Sequence, residues 1–537
     1  MPEKNRVYRA RIEGYTSEGL GVARIDGQAV FVHRALRGED CDVLILKVLK
    51  NAAFGKAVRV YEPSPHRVEP DCPYYGRCGG CDFRHMDRTE ELAAKRQRVQ
   101  DALRRIGGSA VTVEGIDGGA PLHYRNKSQY PVAADGSVGF YKARSHQVVP
   151  VTQCLIQRPQ ADAAAQALRT YIASCGVSCY DEKTRRGLVR HLYIRTNGAG
   201  QSLICVVVNG KKLPGEEELV RLLRQAAPET VGVVLGVNTR PTGAVLGTEY
   251  RTLWGADVLT DTLCGLTFRL SVPSFYQVNR EMAERLYARA VEFAGLTGTE
   301  TVLDLYCGAG TITQVMARHA GRVIGAEIVP EAIEDAKANA KRNNVENVEF
   351  FCGDASAVAA DLAARGLRPD VICVDPPRKG LAPEVVRAAA QMAPRRIVYV
   401  SCDPATLARD VKLFGQEGYE AVRAAAVDMF PGTANVETIC LLSKLNAKQH
   451  IEINLDMDEL DLTDAEKKAT YQEIKDYVLE HSGLKVSSLY IAQVKQKCGI
   501  IERENYNKPK SEDAKQPQCP PDKEKAIKEA LTHFGMI

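Results

Sequence analysis

From about residue 263 to 445, short apolar runs such as TVLDLY, RVIGAEI, DVICVDPP and RIVYVSCDP alternate with helical periods such as EAIEDAKANAKRN, PEVVRAAAQMA and TLARDVKLFGQEG. A strand, about ten to fifteen helical residues and then another strand can rejoin the same sheet only by crossing over it. The segment is therefore expected to form a mostly parallel, doubly wound α/β sheet of Rossmann-like type. Sheets of this kind bind ligands beyond the carboxyl ends of their strands, so chemistry is sought there.

With 537 residues the chain is too long for one core and should divide into three or four domains. Residues 1–61 alternate apolar and polar positions between Gly, Asn and Asp turns, which reads as a small antiparallel barrel able to carry nucleic acid. Pro63, Pro65 and Pro70 mark a boundary. A central α+β domain is expected over 62–262, the doubly wound sheet over 263–445, and a small helical appendage without assigned role over 446–537.

The central region carries Cys72, Cys78 and Cys81 in DCPYYGRCGGCDFRHM, with Cys154 far downstream. A Cys-x5-Cys-x2-Cys clip plus a distant cysteine can hold tetrahedral zinc or an iron–sulfur cluster, and spacing alone does not choose. Basic segments at 91–108, 124–127 and 183–195 suit phosphate contacts, although a net charge of +4 names no partner by itself. The chain starts without an apolar leader and has no run of about 18 apolar residues, so a cytoplasmic protein that avoids membranes is expected. Its sixteen cysteines then read as thiols, ligands or catalytic groups, not as disulfides. No obligate protein partner is evident.

In DLYCGAGT the strand that ends at Asp304 and Leu305 runs into a turn holding Gly308 and Gly310. Glycine lets backbone approach a ligand, and Glu327 at the end of the next strand can accept from two ribose hydroxyls. Asp354 and Asp375 close the third and fourth strands. At the same edge stand Cys402, ending the fifth strand, and Glu437, entering the last. A thiolate can add to an electrophilic carbon and later leave, and a carboxylate can remove a proton.

SFYQVN at 274–279, DLYCGAG at 304–310, DPPRKG at 375–380, SCDP at 401–404 and DMFPGTANVE at 428–437 resemble, in order, the motifs of the RNA uridine-5-methyltransferase family. The first segment resembles a TRAM domain, and the cysteine set is similar to the cluster site of the ribosomal branch. The resemblance implies a class I methyltransferase domain over 263–445 and methylation of carbon 5 of a uridine in RNA, with 23S rRNA as the expected substrate and S-adenosylmethionine as methyl donor. It implies Cys402 as nucleophile and Glu437 as base. Gln277, Tyr306, Glu327 and Asp375 would bind S-adenosylmethionine, with Thr311 and Asp354 as neighbours. Cys72, Cys78, Cys81 and Cys154 would hold a [4Fe–4S] cluster, with zinc as the alternative. One departure is Asn435 where many members have histidine. Competing readings are a tRNA uridine-5-methyltransferase, a radical enzyme, which would want a Cys-x3-Cys-x2-Cys clip, and a non-catalytic RNA-binding protein.

Overall fold

The computed structural model describes residues 1–445, 471–498 and 519–534. It divides into two compact units, 1–446 and 447–537. Six strands, β1 (Val7–Arg11), β2 (Gly14–Tyr15), β3 (Gly21–Ile25), β4 (Gln28–His33), β5 (Asp40–Val48) and β6 (Ala52–Glu62), form one sheet in the order β1-β5-β6-β4-β3-β2. Their period of two sends Ala23, Val30, Val32, Val43 and Ile45 to a common core.

Helix α1 (Arg88–Arg105) starts at Asp87, whose side chain accepts from Glu90 N, and is followed by β7 (Val113–Asp117). The next strands are β8 (Lys127–Pro131), β9 (Gly139–Tyr141) and β10 (Val148–Pro150), and β9 pairs with β10. After α2 (Pro159–Ser174) come β11 (Val189–Thr196), β12 (Ser202–Val208), α3 (Glu216–Ala226), β13 (Thr230–Val237) and β14 (Glu249–Gly255). These strands make a five-stranded sheet, β14-β13-β12-β11-β8. Leu168 and Tyr171 of α2 and Leu219 and Leu223 of α3 share its core.

A hairpin of β15 (Val258–Leu263) and β16 (Leu266–Ser271) leads into α4 (Arg280–Ala294). The alternating segment then forms β17 (Thr301–Leu305), α5 (Thr311–Ala317), β18 (Arg322–Glu327), α6 (Pro330–Arg342), β19 (Val348–Cys352) and α7 (Ala355–Ala364). It continues with β20 (Val371–Val374), α8 (Pro383–Gln391), β21 (Arg396–Ser401), α9 (Pro404–Gln416), β22 (Tyr419–Val427) and β23 (Glu437–Lys444). The sheet order is β19-β18-β17-β20-β21-β23-β22-β7, parallel from β19 to β21 and antiparallel where β23 meets β21 and β22. The chain runs outward from β17 and then returns to β20 on its other side, which opens a crevice beyond the carboxyl ends of these two strands.

The eighth strand is β7, from the region expected to be the central domain, and it pairs parallel with β22. Helix α1 packs on α9, with Val99 and Leu103 in the same core as Leu407 and Val411. Both sides of the 262/263 boundary thus feed one sheet. The second unit has α10 (Tyr471–Ser482), α11 (Ser488–Lys497) and α12 (Pro521–His533) around Ile474, Val478, Ile491, Val494 and Ile527. Residues 446–470 of the expected appendage lie outside the described residues. Among the described residues no helix is long and apolar enough to cross a membrane.

The turn that holds DPPRKG is fixed from behind by Asp410 of α9. Its buried carboxylate accepts from Leu381 N at 2.8 Å and Tyr399 OH at 2.6 Å, and pairs with Arg409. Asp410→Ala leaves these donors without their acceptor, at a cost of about 3 kcal/mol. A clear fall in thermal midpoint is expected, and an unchanged midpoint would show that the turn does not depend on this anchor.

Candidate active site

The glycine loop comes directly after β17. Gly308 and Gly310 have φ of +54° and +73°, and a Cβ on Gly310 would lie 3.1 Å from Ala336 Cβ and 3.2 Å from the Phe350 ring. Only glycine satisfies both the backbone and the space. Tyr306 adopts φ +72° without that freedom, a strained conformation of the kind that gathers at ligand sites. Glu327, ending β18, accepts from Gly308 N at 3.2 Å and Val329 N at 3.0 Å, which ties the second strand to the loop.

Asp304 lies beneath the loop with no exposed surface. One of its oxygens accepts from Thr313, and the other, Oδ1, is buried without a partner. An orphaned acceptor beneath a glycine cradle fits a ligand that brings hydrogen-bond donors. Burial pushes the Asp304 carboxyl up to about 8. Thr311 opens α5 and shares a hydrogen bond with Tyr287 at 2.9 Å. Asp354 caps α7: its Oδ1 accepts from Ser356 N at 2.9 Å and Ala357 N at 3.4 Å. The other carboxylate oxygen is left to face a ligand beyond the strand end.

Gln277 lies between β16 and α4 in a segment pinned from several sides. Its carbonyl accepts from Asn126 Nδ2 at 2.8 Å, and Val278 O accepts from Asn126 N at 2.8 Å. Tyr276 donates to Asp261 at 3.1 Å, and Asn279 donates to Met429 O at 3.2 Å. The SFYQVN motif therefore bridges the five-stranded sheet and the loop that leads to Glu437.

Cys402 and Glu437 meet through sheet register. Ser401 pairs with Thr438 at the end of the antiparallel β21–β23 ladder, so Cys402, the residue after β21, and Glu437, the first of β23, both adjoin that last pair. Burial raises the Cys402 thiol to about 11, helped by the charges of Glu437 and Asp375, while the charge of Arg378 opposes the rise. Burial raises Glu437 to about 8, again with Asp375 adding and Arg378 opposing, and lifts Asp375 to about 7. Arg378 lies within DPPRKG, where sequence alone gives it no role; its place beside both Cys402 and Glu437 depends on the turn after β20. Paired groups with displaced pKa values at a strand edge are the mark of proton-transfer chemistry.

Cys72, Cys78, Cys81 and Cys154 line one cavity of about 240 Å³ together with Tyr74, Arg84 and Arg125. Burial lifts Cys81 to about 12 and Cys154 to about 11, and each is raised further by the charge of Cys78, while Arg84 opposes the rise at Cys81. Soft thiol donors on one cavity are the right chemistry for zinc or an iron–sulfur cluster. Among the described residues, however, no three His, Cys, Asp or Glu side chains are gathered closely enough to hold a metal ion. The expected ligand set is brought to one place but not drawn into a clip.

A carboxyl group that folding raises keeps its contribution below its unfolded value and loses it as pH climbs towards its folded value. For Glu437 that window runs from 4.5 to about 8. Glu437→Gln is expected to raise the thermal midpoint by about 2 °C at pH 8 and to match wild type near pH 4. Equal midpoints at both pH values in a thermal melt would contradict the burial of an acid at this position.

The sequence model of the tRNA (Uracil-5-)-methyltransferase family matches residues 87–445, and that of the TRAM domain matches residues 3–58. An uncharacterized RNA methyltransferase of Clostridium tetani is 43% identical over 452 residues, 83% of this chain and 98% of that protein. One from Halalkalibacterium halodurans is 42% identical over 449 residues, 82% of this chain and 98% of that protein. Among solved structures, the Pyrococcus abyssi tRNA (uracil-54, C5)-methyltransferase in complex with S-adenosyl-L-homocysteine is 25% identical with a TM-score of 0.66, and the match covers 81% of this chain and all of that one. With the family match spanning the glycine loop, Cys402 and Glu437, the chain belongs to the tRNA (Uracil-5-)-methyltransferase family and is an S-adenosylmethionine-dependent RNA uracil-5-methyltransferase.

Proposed function

We propose that the enzyme methylates a uridine of 23S rRNA through a covalent bond from Cys402 to carbon 6, and that Glu437 then takes the proton from carbon 5. The supporting observation is the register that pairs Ser401 with Thr438 and so brings the adjacent Cys402 and Glu437 to the same end of the β21–β23 ladder, at the edge where the glycine loop opens. Carbon 5 of uracil is a poor nucleophile. Addition of the Cys402 thiolate to carbon 6 moves the electron pair of the 5,6 double bond towards carbon 5. S-adenosylmethionine, when bound, supplies an electrophilic methyl group. Gln277, Tyr306, Glu327 and Asp375 would hold it, with Thr311 and Asp354 close by.

Once methylated, carbon 5 still bears a proton. The Glu437 carboxylate removes it, the electron pair reforms the double bond, and the sulfur departs from carbon 6. Burial suits Glu437 to this step, because a carboxyl raised to about 8 is a stronger base than an exposed one. Arg378 beside the thiol favours the thiolate and offsets part of the cost of burying it.

The cavity around Cys72, Cys78, Cys81 and Cys154 is proposed to hold a [4Fe–4S] cluster, which would tie segments distant in sequence and contribute to folding. No step of the methylation runs through it. The cysteine spacing supports ribosomal RNA as substrate. A specific observation favours the second reading, tRNA: the match to the Pyrococcus abyssi tRNA (uracil-54, C5)-methyltransferase covers all of that enzyme and 81% of this chain. Mapping 5-methyluridine in rRNA and tRNA from a strain lacking the gene, with and without re-expression, decides between them.

RNA carrying 5-fluorouridine has no removable proton at carbon 5 and is expected to leave the wild-type enzyme attached to RNA, whereas Cys402→Ala forms no adduct. Glu437→Gln on ordinary RNA is expected to accumulate the methylated adduct, with turnover at least ~100-fold slower. Near-normal methylation by Cys402→Ala would remove it as the nucleophile. Protein prepared without oxygen should contain iron, and Cys78→Ser should lose RNA affinity more than S-adenosylmethionine affinity. Stoichiometric zinc without iron would defeat the cluster.

A further inference from the structure

The loop 428–436 joins β22 to β23 and delivers Glu437, which stands opposite Val427 where the two strands pair. Its first residue, Asp428, has no exposed surface and meets Lys95 of α1, whose side chain is 1% exposed. Lys95 Nζ donates to Asp428 Oδ1 at 2.5 Å, to Glu91 Oε1 at 2.7 Å and to the Phe430 carbonyl at 3.1 Å. Glu91 passes the grip onward, since its Oε1 also accepts from Gly432 N at 2.6 Å.

A second hold comes from the cysteine-bearing segment. Gly432 O accepts from Asp82 N at 2.9 Å and Phe83 N at 3.0 Å, and the Asp82 carboxylate accepts from Ala434 N at 2.9 Å. Arg98 of α1 donates to Ala434 O at 2.6 Å. Contacts from a helix and from the residues next to Cys81 thus converge on the backbone that ends in the base.

We propose that Lys95 and Asp82 are positioning residues for Glu437: they clamp the 428–436 loop from two sides and aim the carboxylate at the carbon 5 proton. The proposal rests on the reading of Glu437 as the base. It also makes the cysteine segment part of that base's support. Neither residue reaches the cofactor loop, and neither belongs to the nucleophile's own strand or turn. Addition of Cys402 and methyl transfer are complete before Glu437 is needed, so loosening the clamp slows only proton removal and the release of the sulfur from carbon 6. A displacement of about 1 Å at a catalytic group can cost on the order of a hundredfold in rate.

Lys95→Met keeps the length of the side chain and removes its charge. Asp82→Ala, at an exposed position, removes the acceptor for Ala434 N and serves where Lys95→Met fails to fold. Each full-length variant is assayed twice with S-adenosylmethionine: for adduct formation on 5-fluorouridine RNA, and for decay of the methylated adduct on ordinary RNA. Adduct formation within about 3-fold of wild type is expected, with decay slowed at least about 10-fold for Lys95→Met and several-fold for Asp82→Ala. Parallel loss in both assays, the signature of a general structural defect, overturns the proposal, and so does unchanged decay. Failure of the underlying reading shows separately: the wild-type enzyme would then form no adduct, or Glu437→Gln would accumulate none.

Discussion

A lysine ammonium without exposed surface must find carboxylates, because removing a charge from water costs several kcal/mol that only close, well-aimed partners offset. Lys95 takes one partner from its own helix, Glu91, and the other, Asp428, from the far end of the enzyme unit. That requirement brings α1 against the β22–β23 hairpin, and β7 joins the sheet beside β22. The loop that leads to Glu437 is held by this pair together with Arg88, a second cation of α1 that reaches both Asp428 and Glu91. Removing one partner would strand a buried charge, so the arrangement specifies a single position for the loop more than it adds stability.

The second feature of the site is a shared withdrawal of carboxyl groups from solvent. Asp304, Asp375 and Glu437 are all lifted by burial, and Asp375 further raises Asp304, Glu437 and Cys402. A protein keeps such a costly cluster at an edge where ligands arrive with donors and positive charge. A sulfonium cofactor and the imide of a uracil bring both. Arg378 is the counterweight, since its charge acts on Cys402 and Glu437 together.

Much of this was legible in the residues. The alternation of strands and helices from 263 onward, the glycine turn after Asp304 and the placement of Cys402 and Glu437 at strand ends all follow from local pattern, and the strands and helices form where the periodicity puts them. What stayed hidden depends on distant pairing. VEGID offers one buried apolar position, so nothing local marks β7 as an edge strand of the larger sheet. The antiparallel direction of β23, which brings Cys402 and Glu437 to the same end of the ladder, is a matter of register between β21 and β23. Asp354 reads equally well as a strand-end ligand and as an N-cap, and the structure shows it capping α7. Lys95 sits in a basic helical stretch that suggests phosphate contacts, yet it points inward, because its partner Asp428 is 333 residues away.

The central claim is that carbon 5 of uridine loses its proton to the enzyme only after the methyl group has arrived. RNA labelled with tritium at carbon 5 of uridine tests this directly when methyl transfer and tritium release are measured in the same reaction. Tritium released one for one with methyl transferred, and a Glu437→Gln enzyme in which methyl transfer runs ahead of release, is the outcome expected. Methyl transfer with the tritium retained would place the new methyl group on another atom and contradict the account.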